Sequence, residues 1–178
     1  MLVAFDTQFI ALLLHPSATV PNDPSTGAPV TNAAGRIALL VSTLEAQGAT
    51  ILIPAPALAE FLVLAGSDGP TYLNELRDHA AFKIEPFDEL AAVEAGVMEV
   101  AARATGDKRG GATGDWQKIK VDRQVVAIAK TRGAACIYSD DPDVHALGKR
   151  EGMSVVGVHE LPLPAAEDGT LNFDDEAT

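Results

Sequence analysis

Short apolar segments that alternate with helical segments predict an α/β fold with a parallel sheet covered by helices on both faces. Five segments have the length and apolar composition of buried strands: 2–5, 49–53, 82–85, 134–138 and 154–158. A chain of 178 residues with 47% apolar residues can close one core of this kind. We therefore expect a central parallel sheet of about four to five strands.

The first half of the chain supplies four predicted helices, each placed between or after strand segments. Asp6 or Thr7 can cap the first helix, because both residue types accept hydrogen bonds from free backbone N–H groups. Gly48 ends the second helix, and the prolines at 54 and 56 begin the third. The predicted ranges are 7–14, 33–47, 56–64 and 71–80, with a break at 66–70.

The second half supplies three more predicted helices. Asp88 caps a long helix over 88–104, a shorter one follows over 121–131 with Gly133 as its stop, and the last ends near Glu151. The apolar residues of the long helix fall on one face, which we expect to belong to the core rather than to an interface. These residues are Leu90, Val93, Val97 and Val100.

Two long loops and a tail complete the predicted organisation. Residues 15–32 form a Pro-rich loop and residues 105–120 a Gly-rich, basic loop. Loops of this length in a compact domain are usually functional or mobile. We expect a single domain over 1–160, followed by an acidic tail over 161–178.

The net charge of −12 argues at first against a nucleic-acid-binding protein, but the charge is unevenly distributed. Residues 103–132 hold eight of the 13 lysines and arginines and have a net charge of +5, whereas the rest of the chain has −17. This segment contains the candidate RNA contacts Lys108, Arg109, Lys118, Lys120 and Arg123. Trp116 either stacks on an unpaired base or anchors the loop.

Composition also excludes several classes of protein. A single cysteine, Cys136, rules out an intramolecular disulfide framework and a Cys-rich zinc site. The apolar N-terminal segment contains Asp6 and has no lysine or arginine before Arg36, so it does not read as a secretory signal. No run of apolar residues is long enough to span a membrane. These features predict a cytoplasmic protein without a membrane partner.

Acidic residues follow two predicted strands and lie near the start of two helices. Asp6 follows the first strand, Asp140 and Asp141 follow the fourth, and Glu60 and Asp122 interrupt apolar helical segments. Parallel strands bind ligands at their carboxyl ends, so these acids are expected at one rim of the sheet. Two carboxylates about 4 Å apart repel by about 4 kcal/mol at an effective dielectric of 20. Oxygen ligands without His or Cys indicate Mg²⁺ or Mn²⁺.

Other interpretations of these acids remain open at this stage. Asp6 and Asp122 could be ordinary helix caps, and residues 140–143 a solvated turn. A phosphohydrolase of the haloacid-dehalogenase type would use Asp6 as nucleophile and Asp140 or Asp141 as Mg²⁺ ligands. That chemistry needs a second acid two residues after the nucleophile, where this chain has Gln8.

Three segments together resemble the PIN-domain nucleases, including VapC-like toxins. VAFDTQFIALLL is similar to the opening strand and Asp-Thr/Ser start of that family, and PAPALAEFL to its second motif. IKVDRQVVAIAKTRGAACIYSDDPDVHAL resembles its C-terminal half. The resemblance covers residues 1–158 and implies a three-layer α/β/α fold.

The same resemblance implies a metal-dependent endoribonuclease that uses Mg²⁺ or Mn²⁺, forms a homodimer and, as the toxin of a type II pair, binds an antitoxin. It places the catalytic acids at Asp6, Glu60, Asp122 and Asp141, with Asp6, Asp122 and Asp141 as metal ligands. The auxiliary residues are then Thr7, Ser139, Asp140 and Asp143. Whether Asp140 or Asp141 is the ligand stays open, and so does a catalytically inactive PIN-like module that binds RNA or protein.

Overall fold

The computed structural model describes residues 1–165, so most of the predicted acidic tail, 166–178, lies outside the described residues. These residues contain five strands and seven α-helices, together with two short 3₁₀ turns. In chain order the elements are β1 (Leu2–Phe5), α1 (Thr7–Leu14), α2 (Ala33–Ala46), β2 (Thr50–Pro54), α3 (Ala55–Ala65), α4 (Gly69–Asp78), β3 (Phe82–Glu85), α5 (Glu89–Ala104), α6 (Trp116–Thr131), β4 (Cys136–Tyr138), α7 (Pro142–Arg150) and β5 (Ser154–Val156).

The five strands form one parallel sheet in the order β3-β2-β1-β4-β5. The first strand of the chain is therefore the central one, and its neighbours are β2 and β4. Where β1 pairs with β4, Phe5 lies opposite Tyr138, so these two strands end at the same rim of the sheet. The prediction of a parallel α/β sheet with up to five strands is confirmed.

Alternating side chains divide the core into two layers, one on each face of the sheet. Val3 and Phe5 of β1 pack with residues of α1, α2, α3 and α4 on one face. Ala4 between them packs with Ile137 of β4 and with α5, α6 and α7 on the other face. Strand residues alternate between the faces of a sheet, so a strand buried on both sides is apolar throughout. The three-layer α/β/α arrangement implied by the resemblance is confirmed.

Acidic side chains cap the first turns of α1 and α5, as the sequence allowed. The backbone N–H of Phe9 donates to Asp6 Oδ1 at 3.0 Å, and that of Ala91 donates to Asp88 Oδ1 at 3.0 Å. Asp6 thus caps α1 while it lies at the end of the central strand. This double position fixes its side chain at the rim of the sheet.

Helix α6 begins at Trp116, five residues before the predicted start, so the Gly-rich loop ends at Asp115 and not at residue 120. The prediction was wrong because the polar residues 117, 118 and 120 hide a helical pattern in which Trp116 and Ile119 pack into the core. The earlier start has a direct consequence for the rim, because it places Lys118 one helical turn before Asp122.

The apolar face of α5 points away from the core, contrary to the prediction. Its side chains remain 56–68% exposed: Leu90, Val93, Val97 and Val100. The face toward α6 instead carries the small residues Ala91 and Ala102 together with Met98. Small residues let the two helices approach closely, and the larger aliphatic residues are left on the outside.

The remaining boundaries differ from the predicted ones by a few residues. Helix α4 begins at Gly69 after a 3₁₀ turn at Gly66–Asp68, and β5 ends at Val156 before a 3₁₀ turn at Val158–Glu160. Leu161 is buried, and the Arg36 guanidinium of α2 donates to its carbonyl. Within residues 1–165 no helix has the length and apolar composition needed to cross a membrane.

Candidate functional site

The rim formed by β1 and β4 brings Asp6 into contact with Ser139. Ser139 Oγ donates to Asp6 Oδ2, and the backbone N–H of Asp141 donates to Ser139 Oγ at 3.0 Å. Asp6 is only 5% exposed and Ser139 is fully buried. A residue that the sequence placed as auxiliary therefore links the acid of the central strand to the turn after β4.

Three further acids converge beside this pair. One carboxylate oxygen from each of Asp122, Asp141 and Asp143 lies within 4.8 Å of the other two. We call these residues the acid triad. The ammonium group of Lys118 lies among them, with Nζ at 2.8 Å from Asp122 Oδ2, 2.7 Å from Asp141 Oδ2 and 3.3 Å from Asp143 Oδ2. A cation is thus held by three carboxylate oxygens.

Local folding explains why these side chains meet. Lys118 and Asp122 are four residues apart on α6 and so lie on one face of that helix. Asp141 caps α7 by accepting from the backbone N–H of Asp143 at 2.8 Å, with Pro142 in the first turn. The end of the Gly-rich loop holds Asp143, because the N–H groups of Thr113 and Gly114 donate to its carboxylate at 2.7 and 3.1 Å.

Gly114 leaves no room for a side chain beside Asp143. A Cβ atom there would collide with Asp143 Oδ2. We expect Gly114→Ala to displace the Asp143 carboxylate from its N–H donors and to lower the free energy of unfolding by about 1.5–3 kcal/mol, the range for a hydrogen bond to a charged group. Chemical denaturation measures this value.

The matched control for this prediction is Thr113→Ala, which keeps the backbone donor and removes an exposed side chain. We expect it to change the free energy of unfolding by less than about 0.5 kcal/mol. Equal stability of the two variants would contradict the tight fit at Gly114.

A cavity of about 420 Å³ joins Asp6, Asp122 and Asp141 to the remaining predicted acid, Glu60. Thr7 Oγ1 donates to Glu60 Oε2 at 2.6 Å, which ties the start of α1 to an exposed acid on α3. The cavity is lined by all four of the predicted catalytic acids, Asp6, Glu60, Asp122 and Asp141. The structure therefore brings together residues that lie up to 135 positions apart in the chain.

Burial changes the protonation of the site. Burial raises the pKa of Asp6 to about 7, against hydrogen bonds from Ser139 and Phe9 that favour the charged form. Burial also raises the pKa of Asp122 to about 6, although Lys118 partly offsets it. Burial alone would lower the pKa of Lys118, but hydrogen bonds to Asp122 and Asp141 outweigh it and raise that pKa. The single positive charge of Lys118 is thus not enough to offset the burial of these acids.

Of the two adjacent acids, Asp140 does not line the cavity. Its Oδ1 accepts from the backbone N–H of Val158 at 2.9 Å, and burial raises its pKa. Asp141 lines the cavity instead. Asp140 therefore supports the chain after β5, and which of the two acids is a metal ligand stays a prediction.

Two residues predicted to grip RNA are used inside the protein. Arg123 is only 3% exposed; it pairs with Glu99 at 2.9 Å and donates to the Lys108 carbonyl at 2.9 Å. Its prediction as an RNA contact is therefore wrong, because its guanidinium joins α6 to α5 and the Gly-rich loop. Trp116 is half-buried, and its ring lies near Lys108, Lys120 and Arg123 at 5.0–5.6 Å from the ring centroid. It anchors the loop.

Pairing with acids neutralises much of the basic segment. Arg103 pairs with Glu99, Lys130 with Glu94 and Glu151, and Arg132 with Glu85 and Asp88. Within residues 1–165, the bases of this segment that form no ion pair are Lys108, Arg109 and Lys120. A charge count along the sequence could not reveal this, because the partners of Lys130 and Arg132 lie at least 21 positions away in the chain.

Part of the cavity wall comes from residues that the sequence did not single out. The start of the Pro-rich loop contributes His15, Ser17 and Thr19, and the Gln8 side chain donates to the Thr19 carbonyl at 3.3 Å. No charge or spacing pattern marks these residues as part of a site. The role of Lys118 did leave a signal, because its i, i+4 spacing to Asp122 follows once α6 begins at Trp116.

Comparison with known proteins supports the fold but does not show an activity. No protein-family model matches the chain, and no curated protein sequence matches it. The chain is similar to solved structures of VapBC2 from Rickettsia felis (TM-score 0.55, 14% identity, covering 88% of this chain and 98% of that one) and of VapBC-1 from Haemophilus influenzae (0.57, 13%, 89% and 98%). It is also similar to Mycobacterium tuberculosis VapC20, described as a toxin that cleaves the sarcin-ricin loop (0.55, 16%, 82% and 95%).

Proposed function

We propose, from the PIN-like fold that the chain shares with these VapC structures, that it is a metal-dependent endoribonuclease. The observation that carries this proposal is the cavity lined by Asp6, Glu60, Asp122 and Asp141, two of which belong to the acid triad that holds the Lys118 ammonium group. Similarity of fold alone would not support an activity, because one fold serves many functions. The acids supply the chemical argument.

The residues present fit a hard divalent cation. The triad already holds the ammonium group of Lys118 through three carboxylate oxygens. Carboxylate oxygens are the ligand atoms that Mg²⁺ and Mn²⁺ prefer. Asp122 and Asp141, with Asp6 or Asp143, would hold the ion. Such an ion would activate water and stabilise the negative charge that develops on the phosphate.

The chain's own residues would hold the acids in position and contact the substrate. Ser139 holds the Asp6 carboxylate in place, and Thr7 fixes Glu60 at the mouth of the cavity. Lys108 and Lys120 remain available to contact the phosphate backbone, which is the usual source of affinity that is independent of sequence, whereas the Arg109 guanidinium donates to the Gly114 carbonyl. With so few free bases, RNA binding is expected to be weak and sensitive to salt.

The test is cleavage of a mixed-sequence fluorogenic RNA with Mg²⁺ or Mn²⁺, compared with the same reaction in EDTA. We expect cleavage only with metal, and a loss of at least about a hundredfold in Asp141→Asn, because one triad oxygen loses its charge. Asp78→Asn, on the surface at the end of α4, is the matched control and keeps full activity. Cleavage that survives in EDTA would contradict the proposal.

The same experiment separates the other functions. p-Nitrophenyl phosphate, added in parallel, would be hydrolysed by a phosphohydrolase. That alternative is disfavoured because Gln8 occupies the position of the required acid and uses its amide to bind the Thr19 carbonyl. RNA binding without turnover would indicate a non-catalytic module.

We further propose that the chain is the toxin of a type II pair and that a small antitoxin protein covers the cavity. Two of the similar structures are named as VapBC assemblies, and this is the support for a partner here. Co-purification of a protein encoded beside this chain, with suppression of RNA cleavage, tests the proposal. The cytoplasmic location expected from the sequence stays a prediction.

We also propose that two copies form a homodimer through α5. Between Glu89 and Arg103 every exposed side chain of this helix is apolar or small, although the chain carries a net charge of −12. Copies of so acidic a chain repel each other, so an uncharged surface is where they can meet. Four of the most exposed aliphatic residues among 1–165 lie there: Leu90, Val93, Val97 and Val100.

The ends of this face are complementary in charge. Glu89, Gly96 and Arg103 are spaced seven residues apart and lie along one line of the helix. If two α5 helices cross antiparallel about a two-fold axis at Gly96, Glu89 of each copy faces Arg103 of the other. Nothing lies within 4 Å of a Cβ built at Gly96, so the backbones can approach closely at the crossing point.

A further inference from the structure

We propose that Lys118 is the built-in counter-ion of the acid triad and that a divalent cation must displace its ammonium group to bind there. This inference rests on the proposed function, because it concerns the same site. It goes further because it identifies Lys118 as the cation that occupies the triad when no metal is bound. Lys118 is then a positioning residue and not an RNA contact.

The geometry makes the two cations exclusive. Nζ lies 2.7–3.3 Å from the Oδ2 atoms of Asp122, Asp141 and Asp143, at the point where these three oxygens converge. A magnesium-sized ion bound by the same oxygens would sit about 2.1 Å from each of them. Both cations cannot occupy one position, so entry of the ion requires the lysine to leave.

Lys118 has a route out of the triad. Its side chain is 41% exposed and lines the open cavity, whereas the carboxylates of Asp122 and Asp143 are 8% and 5% exposed. The lysine stem is flexible, so the ammonium group can swing into solvent without movement of α6. The acids are fixed by comparison, because Asp143 is held by the loop N–H groups and Asp141 caps α7.

The triad also needs a cation when no metal is bound. Three carboxylates with oxygens within 4.8 Å of one another repel strongly unless a positive charge lies among them. Of the basic side chains described, Lys118 is the one that contacts all three. It therefore stabilises the metal-free protein and at the same time weakens its affinity for metal.

Titration calorimetry with Mn²⁺ and thermal unfolding in EDTA test the inference without RNA. We expect Lys118→Met to bind Mn²⁺ at least about tenfold more tightly than the wild-type protein, and to unfold at a lower temperature in EDTA. Lys118→Gln serves as a second variant if the methionine variant does not fold. Lys149→Met removes an exposed lysine of α7 and is expected to change neither quantity.

A crystal structure of the wild-type protein with Mn²⁺ provides a measurement that does not depend on a variant. We expect the anomalous signal of the ion among the three Oδ2 atoms and the Lys118 side chain turned away. An ion bound beside an unmoved Lys118, equal or weaker Mn²⁺ affinity in the variants, or no binding in any of them would overturn the inference. A failure to cleave RNA would overturn only the proposed function, because RNA is absent from these measurements.

Discussion

Replacing Asp6 with Asn is expected to abolish RNA cleavage and, at pH 8 without metal, to make the protein more stable. Asp6 is buried at the end of the central strand, and the pKa of its carboxyl is raised to about 7. At pH 8 the Asp6 carboxyl group is therefore ionised in a buried position that disfavours the negative charge. Asn keeps the size and can keep both hydrogen bonds, to Phe9 and Ser139, without the charge.

The sign of the pH dependence follows from the raised pKa. Between about pH 4 and pH 7 the unfolded chain has released the proton of Asp6 and the folded protein has kept it, so the contribution of Asp6 to stability falls as the pH rises. Above pH 7 it remains at its minimum. A shift of about three pKa units corresponds to about 4 kcal/mol, and Asp6→Asn is expected to recover much of it at pH 8.

Urea denaturation in EDTA at pH 5 and pH 8, together with the RNA cleavage assay, measures both effects. Asp68→Asn, an exposed acid before α4, is the matched control and is expected to change neither activity nor stability. A variant that is inactive but less stable than the wild-type protein at pH 8 would show that Asp6 serves the structure, and would contradict its assignment to the metal site.

Introducing a charge at Val97 is expected to convert the proposed dimer into a monomer. Val97 is 57% exposed on α5, one residue from the proposed two-fold axis. In Val97→Glu, two carboxylates would meet near the axis and an apolar contact would be lost, which we expect to raise the dimer dissociation constant at least about a hundredfold. Sedimentation velocity measures the change, and thermal unfolding checks that the exposed substitution leaves the fold intact.

Charge exchange at the ends of the same helix tests the orientation of the two copies. Glu89→Arg and Arg103→Glu are each expected to weaken the dimer several-fold, since surface ion pairs contribute about 0.2–1 kcal/mol each and two are affected. The double variant restores opposite charges and is expected to regain the wild-type affinity. A wild-type protein that remains monomeric at about 0.1 mM would refute the interface.

The sequence was sufficient to predict features that depend on local pattern. Apolar strands between helices predicted the parallel sheet. Of the two candidate caps of α1, Asp6 and Thr7, the structure uses Asp6, which accepts from the N–H of Phe9. Acids at the ends of β1 and β4 were expected at one rim, and parallel strands do bring Asp6 and Asp141 to the same cavity.

Features that depend on helix phase and on distant partners could not be predicted. The start of α6 decides whether Lys118 lies on a loop or on the same face as Asp122, and the polar residues around it conceal that start. The apolar residues of α5 have the spacing of a core face, yet the side that packs on α6 is chosen by smaller residues. Arg123 shows that a basic residue beside the site can be buried by a partner, Glu99, that lies 24 positions away.

The position of β1 at the centre of the sheet has a consequence for the order of events during synthesis. Its contact with β4, and the hydrogen bond from Ser139 to Asp6, join residues 133 positions apart, a pairing that is slow to form because a long loop must close. The cavity therefore lacks the residues that follow β4, Asp141 and Val144, until about residue 144 has left the ribosome. A nascent chain that stops before β4 would carry Asp6 and Glu60 but would have no acid triad, so the proposed metal site would be among the last features of this molecule to form.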